Sequence, residues 1–234
     1  MTNVYTKKSM DTWNAIAYSF DLTRRKPWKE CIEFIKSIPN TSIVADIGCG
    51  NGRHLIPCAK HCKKVIGLDI SDELLKIVQK KINEKNLENV NLIHSDAVNI
   101  PIKNNSIDQV LFIATLHNIS KRYRRIISLK EINRVLKPNG SAIISVWSRW
   151  QDKFRQHFMR NYRNISEKKE FGDTNIYWKQ HGLNIPRYYH LYSMRELRQD
   201  LISADFKIIN LEGVKFFSKS YYDNYFAVIK KKEK

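Results

Sequence analysis

A glycine-rich loop flanked by acidic residues is the most specific chemical feature of the sequence. The run Asp46–Gly52 follows the apolar residues 42–45 and carries glycine at every second position from Gly48. Glycine lets a backbone turn tightly and approach a ligand closely. A second apolar run, 65–68, ends in Asp69, where a carboxylate can accept hydrogen bonds from both hydroxyls of a ribose. These residues predict a site for a nucleoside-containing cofactor.

Two classes of cofactor use this geometry, and the details favour S-adenosylmethionine (SAM) over a dinucleotide. A dinucleotide loop has the spacing G-x-G-x-x-G, whereas this loop reads D-x-G-x-G-x-G. An acidic residue suits the methionine ammonium of SAM and would suit a pyrophosphate less. Asp96 follows a third apolar run and is placed to meet the adenine amino group. The predicted cofactor-binding residues are Asp46, Gly48, Gly50, Asn51, Gly52, Asp69, Ile70, Asp96, Ala97 and Ala114.

Alternating strand and helix patterns must position these residues. We therefore expect an α/β fold of the Rossmann-like kind, with a mainly parallel sheet, helices on both faces and an antiparallel edge at the C-terminus. One domain is expected over 1–234, with a basic and aromatic insertion or lid at 149–186. The predicted strands are 42–47, 65–70, 90–94, 108–113, 141–147, 207–209 and 225–229, and the predicted helical segments are 13–20, one beginning at Pro27, one including Leu55 and Ile56, one after the N-cap Ser71, 123–136 and 193–203.

The composition excludes several classes of protein. The chain has 234 residues, 42% of them hydrophobic, and a net charge of +18. It is too long for a disulfide-stapled miniprotein and apolar enough to build a core. Its apolar runs are far shorter than the about 20 residues of a membrane-spanning helix, and its N-terminus has no apolar run typical of a signal peptide. The charge favours polyanionic partners, above all nucleic acid. A general bias of the composition towards lysine is the alternative explanation of this charge, and it stays open.

The four cysteines indicate a reducing compartment, because they are few and irregularly spaced. Cys58 and Cys62, with His54 and His61 nearby, raise the question of a metal. A zinc site normally needs a second ligand pair at a standard spacing, and the sequence offers none. We therefore predict two small buried thiols on a helix face and no metal site. The expected location is the cytoplasm, with the nucleus left open.

The motifs together resemble those of class I SAM-dependent methyltransferases over roughly residues 13–147. In that family the turn before the fifth strand usually reads Pro-Gly-Gly. Here Asn139 replaces one glycine, and asparagine tolerates the same left-handed backbone. The resemblance rests on segments 44–52, 67–71, 95–97 and 134–140.

Flanking segments resemble more narrowly the tRNA wobble-uridine carboxymethyl methyltransferases in their stand-alone form. That family converts 5-carboxymethyluridine, or its 2-thio form, to the methyl ester and leaves S-adenosylhomocysteine as the second product. It usually works with a small zinc-binding activator protein. The resemblance therefore implies tRNA and such an activator as partners, and no membrane. It covers most of the chain except 151–172 and rests on 15–20, 23–24, 27–28, 116–117, 123–125, 146–147 and 187–192.

The chemistry of the implied reaction needs positive charge more than a base. A carboxylate acceptor has an ordinary pKa near 4 and is already an anion at neutral pH. Arginine can hold a carboxylate or a phosphate bidentately. The family commonly has a second histidine after the fourth strand, where this chain has Asn118, so His117 is the better candidate. The resemblance implies His117, Arg24 and Arg124 as catalytic residues and Arg125, Arg187, Tyr189 and His190 as substrate-binding residues.

A basic and aromatic segment adds a possible RNA contact. We predict that it faces RNA, with an ordinary amphipathic helix as the alternative. Two other functions also stay open: a small-molecule SAM-dependent methyltransferase, and a SAM- and RNA-binding protein with little catalysis. The basic residues of the segment are Arg149, Lys153, Arg155, Arg160 and Arg163, interleaved with Trp150, Phe154, Phe158 and Tyr162.

Overall fold

A seven-stranded sheet forms the centre of the structure, a computed structural model that describes residues 4–160 and 170–232. Its strand order is β3-β2-β1-β4-β5-β9-β8. The first five strands are parallel, and β9 is antiparallel to both β5 and β8, which confirms the predicted fold class. The strands are β1 Ile43–Ile47, β2 Lys64–Asp69, β3 Val90–His94, β4 Ile107–Ile113, β5 Leu136–Trp147, β8 Phe206–Val214 and β9 Asn224–Lys231.

Seven α-helices accompany the sheet in the described parts of the chain. Two apolar clusters pack against the sheet, one around Phe112 and Leu129 and one around Val44 and Val78. Both faces are therefore covered, which explains why the parallel strands read as nearly continuous apolar runs. The helices are α1 Val4–Thr23, α2 Lys29–Ser37, α3 Leu55–Ala59, α4 Asp72–Glu84, α5 Arg122–Val135, α6 Asp152–Arg160 and α7 Met194–Ser203.

The predicted start of α4 is confirmed in atomic detail. The Ser71 side chain accepts a hydrogen bond from the Leu74 backbone N–H at 3.1 Å, and Asp72 and Glu73 lie in the first turn. The side-chain oxygen accepts a hydrogen bond from an N–H that has no partner within the helix. The two acidic side chains interact favourably with the positive end of the helix dipole. This cap fixes the chain directly after Asp69, at the carboxyl end of β2.

A separate hairpin occupies much of the segment predicted as an insertion or lid. Strands β6 (Asp173–Trp178) and β7 (Ile185–His190) pair antiparallel outside the main sheet. The hairpin packs on α1, where the Trp178 indole N–H donates to the Ser19 hydroxyl at 2.7 Å. The same hydroxyl lies 2.7 Å from His181 Nδ1. Helix α1 is much longer than the predicted 13–20, and with the hairpin it covers the carboxyl edge of the sheet.

Two local details differ from the sequence prediction or refine it. The turn expected at 137–140 is incorporated into a longer β5, with Asn139 in the left-handed conformation at φ +63°. This is the backbone that asparagine was predicted to tolerate. Helix α3 has only five residues, and Pro57 lies in its first turn, where a missing N–H costs no helical hydrogen bond.

The last features of the fold are the environment of the cysteines and the apolar character of the helices. All four cysteines are free and buried, and the Cys58 and Cys62 sulfurs lie 3.8 Å apart. His54 Nε2 accepts from the Trp28 N–H, and His61 Nε2 lies 2.7 Å from the Ile38 carbonyl, so both imidazoles bond elsewhere. This agrees with the buried-thiol interpretation. Within 4–160 and 170–232, none of the helices combines the length and apolar character needed to cross a membrane.

Candidate active site

The glycine loop after β1 has the tight backbone turn that its sequence predicts. Gly48 and Gly50 both have positive φ, at +70° and +56°. A Cβ on Gly48 would collide with the Thr115 side chain, which comes from the end of β4. The Gly50 N–H donates to Asp69 Oδ2 at 2.7 Å, so the loop is bonded directly to the end of β2. Only glycine meets both the conformational and the spatial requirement at position 48.

Asp69 is held as a hydrogen-bond acceptor in the wall of a large cavity. Its Oδ1 accepts the Ser71 N–H at 2.9 Å, while Oδ2 accepts from the loop. Each carboxylate oxygen has a second lone pair, so both retain capacity for a ligand hydroxyl. Burial raises the pKa of Asp69, although the backbone hydrogen bonds oppose that rise. The arrangement fits the predicted contact with two ribose hydroxyls.

Asp46 is a buried carboxyl next to the same loop. It is 2% exposed, and its Oδ2 has no hydrogen-bond partner among the described residues. Burial, followed by the charge of Asp69, raises the pKa of Asp46 to about 7. The charge of Arg53 opposes that rise, and a further cation, such as an ammonium group brought close to the carboxyl, would also stabilise its ionised form. The side chains present therefore fit SAM, although Asp46 itself lies behind the cavity wall.

Asp96 forms a third acidic position, and its neighbours were not all foreseen. It accepts hydrogen bonds from the Arg124 guanidinium at 2.7 Å and from the Thr6 hydroxyl at 2.5 Å. Its Oδ1 also accepts the Val98 N–H at 3.1 Å. Arg124, predicted to be catalytic, is 6% exposed and is paired with Asp96. Arg124 also lines the cavity next to Asp96, and its catalytic role stays a prediction.

One cavity of about 1430 Å³ joins these groups at the carboxyl edge of the sheet. This is the edge where open α/β sheets bind ligands. Two predicted cofactor residues, Asp46 and Gly52, are absent from its lining. A Cβ on Gly52 would lie 3.2 Å from the Val78 methyl groups, so this glycine serves helix packing. The predicted residues that do line the cavity are Gly48, Gly50, Asn51, Asp69, Ile70, Asp96, Ala97 and Ala114.

Two arginines lie together in the same cavity. The Arg187 guanidinium lies 4.8 Å from the centre of the Trp178 ring, and that of Arg24 lies 5.2 Å from the same ring. Burial, and then the charge of Arg24, lower the pKa of Arg187. The Arg187 Nε is buried without a hydrogen-bond partner among the described residues. Two cations in one aromatic-lined space create a site for an anion. We call Arg24 and Arg187 the arginine pair.

His117 lies beside the arginine pair as a neutral donor. Its Nδ1 accepts the Trp147 N–H at 3.0 Å, so the neutral ring carries its proton on Nε2. Burial, followed by the charges of Arg187 and His190, lowers the pKa of His117 to about 3. The ring stacks on Tyr189 with centroids 5.1 Å apart. His117 lines the cavity and can donate a hydrogen bond there, but it is poorly suited to act as a base at neutral pH.

Strand geometry divides the predicted substrate cluster on β7 into two halves. Arg187 and Tyr189 line the cavity, whereas Tyr188 and His190 do not. Successive side chains of a strand point to opposite faces, which accounts for the alternation. His190 places its two ring nitrogens 2.8 Å from Asp173 and 2.7 Å from Glu196. The predicted substrate contact of His190 is therefore not supported by its position.

Arg125 also belongs to the framework of the fold. It is fully buried, pairs with Glu170 and donates to the Ile119 carbonyl at 3.3 Å. Since it does not line the cavity, its predicted role as a substrate-binding residue is corrected to a structural one. Asn118, at the position of the family's second histidine, donates to the Ala114 carbonyl at 2.7 Å and supports the left-handed Ala114, φ +53°.

The predicted RNA-facing segment is only partly exposed. Arg149 is 5% exposed, pairs with Glu196 and lies over the Phe171 ring, so it is unavailable to RNA. Lys153 is exposed and lines the cavity. Tyr162 and Arg163 lie outside the described residues.

Several cavity residues were missed from the sequence, among them three aromatic residues and a threonine: Trp13, Phe20, Trp178 and Thr115. Trp13 and Phe20 lie on α1 with an edge-to-face contact at 5.6 Å, and Phe20 also meets Trp178 at 5.9 Å. Their spacing of seven residues on one helix face was available as a signal, but it is equally typical of ordinary core packing. Thr115 and Trp178 had no local signal, because their roles depend on contacts between distant segments.

A cluster of possible metal ligands appears behind β7. Glu170, Asp173 and His190 bring one ligand atom each within 4.8 Å of one another. The sequence predicted no metal site. All three residues already have partners, since Glu170 pairs with Arg125 and Asp173 accepts from the Tyr188 hydroxyl at 2.6 Å. Within the described residues the cluster is a hydrogen-bonded network of the framework.

Comparisons with known proteins agree with this geometry. The family described as "Methyltransferase domain" matches residues 45–144. A Methanosarcina mazei SAM-dependent methyltransferase structure aligns with a TM-score of 0.74 at 18% identity, covering 89% of this chain and 100% of the other. A methyltransferase structure determined with the Haloferax volcanii Trm112 methyltransferase activator aligns with a TM-score of 0.70 at 14% identity, covering 98% of each chain.

Sequence relatives carry more specific names. Macaca fascicularis ALKBH8, a tRNA (carboxymethyluridine(34)-5-O)-methyltransferase, is 35% identical over 70% of this chain and 24% of its own length. A protein of Encephalitozoon cuniculi with a methyltransferase name is 32% identical over 82% of this chain and 83% of its own length. The Schizosaccharomyces pombe tRNA (carboxymethyluridine(34)-5-O)-methyltransferase is 28% identical over 84% and 87%. The chain spans only a fifth to a third of the first three relatives matched.

The sheet order, the glycine loop and the acidic groups at the carboxyl edge define a class I SAM-dependent methyltransferase. SAM is its cofactor, as the sequence predicted. The chain belongs to the methyltransferase family that includes the Encephalitozoon protein and the tRNA (carboxymethyluridine(34)-5-O)-methyltransferases matched above.

Proposed function

We propose that this enzyme transfers a methyl group from SAM to the carboxylate of 5-carboxymethyluridine at the wobble position of tRNA. The observation that carries the proposal is the arginine pair, two guanidinium groups over one tryptophan ring in the cavity that also contains the cofactor loop. Such a pair suits a small anionic acceptor. The names of the sequence relatives support the identity of that acceptor.

The cofactor end of the cavity would hold SAM through two lining carboxylates, with a third carboxylate buried behind the wall. Asp69 is placed for the ribose, Asp96 for the adenine amino group, and Asp46 for electrostatic stabilisation of the ammonium. When bound, SAM supplies a methyl group on a positively charged sulfur and becomes S-adenosylhomocysteine after losing it. The glycine loop provides the close backbone approach that the methionine portion needs.

The acceptor end of the cavity needs to orient an anion and exclude water. A carboxylate with an ordinary pKa near 4 is ionised at neutral pH, so no proton has to be removed. This is consistent with the pKa of about 3 for His117, which favours a neutral donor over a base. The Arg24 and Arg187 guanidiniums would hold one carboxylate oxygen in line with the methyl carbon. Trp147, Tyr189 and Trp178 would shield that line from water.

The proposed partners are tRNA and a small zinc-binding activator protein. The net charge of +18 supports a broad electrostatic attraction to tRNA. The structural similarity to a methyltransferase determined with a Trm112 activator supports the second partner. The four free cysteines are consistent with activity in the cytoplasm, where we place it.

One experiment tests the proposal directly. The enzyme is incubated with methyl-labelled SAM and tRNA that carries 5-carboxymethyluridine, with and without the activator. A base-labile label in the anticodon is the expected result, and tRNA with unmodified uridine should stay unlabelled. Label in lipid-soluble acceptors alone would instead indicate a small-molecule methyltransferase. Binding of SAM and tRNA without transfer, even with the activator, would indicate a binding protein.

A further inference from the structure

The loop between β8 and β9 has an unusually well-defined backbone. Asp223 Oδ2 accepts the N–H groups of Phe216, Phe217 and Ser218 at 2.7, 2.8 and 2.9 Å. Asp152, at the start of α6, accepts the next three N–H groups along the chain, those of Lys219, Ser220 and Tyr221, at 2.9 to 3.2 Å. Two carboxylates therefore hold six consecutive backbone donors, which gives the loop a fixed shape before any ligand binds.

This fixed loop presents a phenyl ring to solvent at the rim of the cavity. The Phe217 side chain is 94% exposed and contributes to the cavity lining. Its neighbour Phe216 behaves differently, because it stacks on Trp28 with ring centroids 5.1 Å apart. The loop is thus anchored by one phenylalanine while the other has no role in the core. A large apolar side chain that is held in solvent by a rigid loop, at the rim of an active site, is available for contact with a ligand.

The surroundings of Phe217 carry positive charge. Lys153 and Lys219 line the same cavity, and Arg155 lies over the Tyr221 ring at 4.4 Å. The nearby Asp152 and Asp223 are already used by backbone N–H groups. An aromatic face with lysines and arginine around it fits single-stranded RNA, which offers unstacked bases and a phosphate backbone.

We propose that Phe217 is a stacking platform for a base next to the acceptor nucleotide in single-stranded RNA. The proposal rests on the proposed function, since the acceptor nucleotide would occupy the cavity at whose rim Phe217 lies. Because the loop is ordered in advance, stacking requires little additional ordering of the protein. Phe217 would then distinguish a nucleotide within an anticodon loop from the same nucleoside free in solution.

The test compares two substrates and three variants. The substrates are an anticodon stem-loop RNA that contains 5-carboxymethyluridine and the free nucleoside 5-carboxymethyluridine. In F217A we expect KM for the stem-loop to rise about tenfold or more, with kcat nearly unchanged. Phe217→Tyr, which keeps an aromatic face, should retain most of the affinity. Ile202→Ala removes a 55% exposed side chain from α7 outside the cavity lining and should change nothing.

The outcomes separate this inference from the proposed function. Methylation of the free nucleoside should be equal in wild type and F217A, because the platform contacts only a neighbouring base. An unchanged KM for the stem-loop, or an equal loss with both substrates, would overturn the inference. If the wild type methylates neither substrate, the proposed function fails, and stem-loop binding measured by fluorescence anisotropy then decides about Phe217. Equal binding by wild type and F217A would reject the platform.

Discussion

The raised pKa of Asp46 predicts that SAM binding depends on pH in a specific way. The carboxyl has a pKa near 7 because it is buried and close to Asp69, so at pH 5.5 it is largely neutral. The methionine ammonium favours the ionised form, and SAM binding must therefore release a proton below pH 7. If only the ionised form binds SAM well, the affinity rises about 15-fold between pH 5.5 and pH 7.0, as follows from a pKa of about 7.

Isothermal titration calorimetry can measure both the affinity and the proton. Titrations at pH 5.5, 6.0, 6.5 and 7.0, in buffers of different ionisation enthalpy, give Kd and the number of protons released. The part of the release that comes from Asp46 should be close to one at pH 5.5 and about one half at pH 7.0. The SAM ammonium stays protonated over this range, since an α-amino group has an ordinary pKa near 8.

Two controls isolate Asp46 from the other raised carboxyl, Asp69. The ligand 5′-methylthioadenosine keeps the ribose and adenine but lacks the ammonium, so its affinity should retain only the pH dependence that comes from Asp69. Asp46→Asn should reduce the pH dependence of SAM binding to that of 5′-methylthioadenosine. Equal pH dependence of the two ligands with the wild-type enzyme would refute the reasoning, because it would mean that Asp46 does not respond to the ammonium.

Three further predictions follow from the site. Arg187→Met should lower kcat/KM for the carboxymethyluridine tRNA by about 10- to 100-fold, the loss expected for a charge-assisted contact, while SAM affinity measured by calorimetry stays the same. Raising the salt concentration should weaken tRNA binding steeply and SAM binding little, and similar salt slopes for both would count against a tRNA-binding surface. Gly48→Ala should lower both SAM affinity and the melting temperature, because a Cβ at position 48 would collide with Thr115 and the backbone there has a φ of +70°. Wild-type values for both quantities would contradict this close approach.

The cofactor half of the site could be predicted from the sequence because its residues lie directly after strands that are recognisable locally. The Asp46–Gly52 loop and Asp69 each follow directly after a buried strand, and in a parallel sheet those strand ends must meet at one edge. The capping residue Ser71 was equally local. The covalent spacing determines where this loop lies, but it does not determine which of its residues face the cavity, because Asp46 and Gly52 do not line it.

For the acceptor half, the sequence predicted candidate residues but not which of them face the cavity. Arg125 and Arg187 both lie in basic, aromatic surroundings in the sequence, yet one is paired behind β7 and the other faces the cavity. Knowing that 187–190 is a strand would have separated Tyr189 from His190, but the segment had no clear strand pattern. The contact of Trp178 with Arg24 joins residues 154 positions apart, and local patterns carry no information about such a pairing.

The arginine pair has a consequence for the end of each catalytic cycle. Methylation converts the acceptor from an anion to an uncharged ester, so the charge that the two guanidiniums neutralised disappears in the reaction itself. Arg24 and Arg187 then repel each other in a poorly solvated space. The finished tRNA is thereby disfavoured at the site, and product inhibition should be weak. The same two positive charges therefore favour binding of the unreacted acid and release of the ester product.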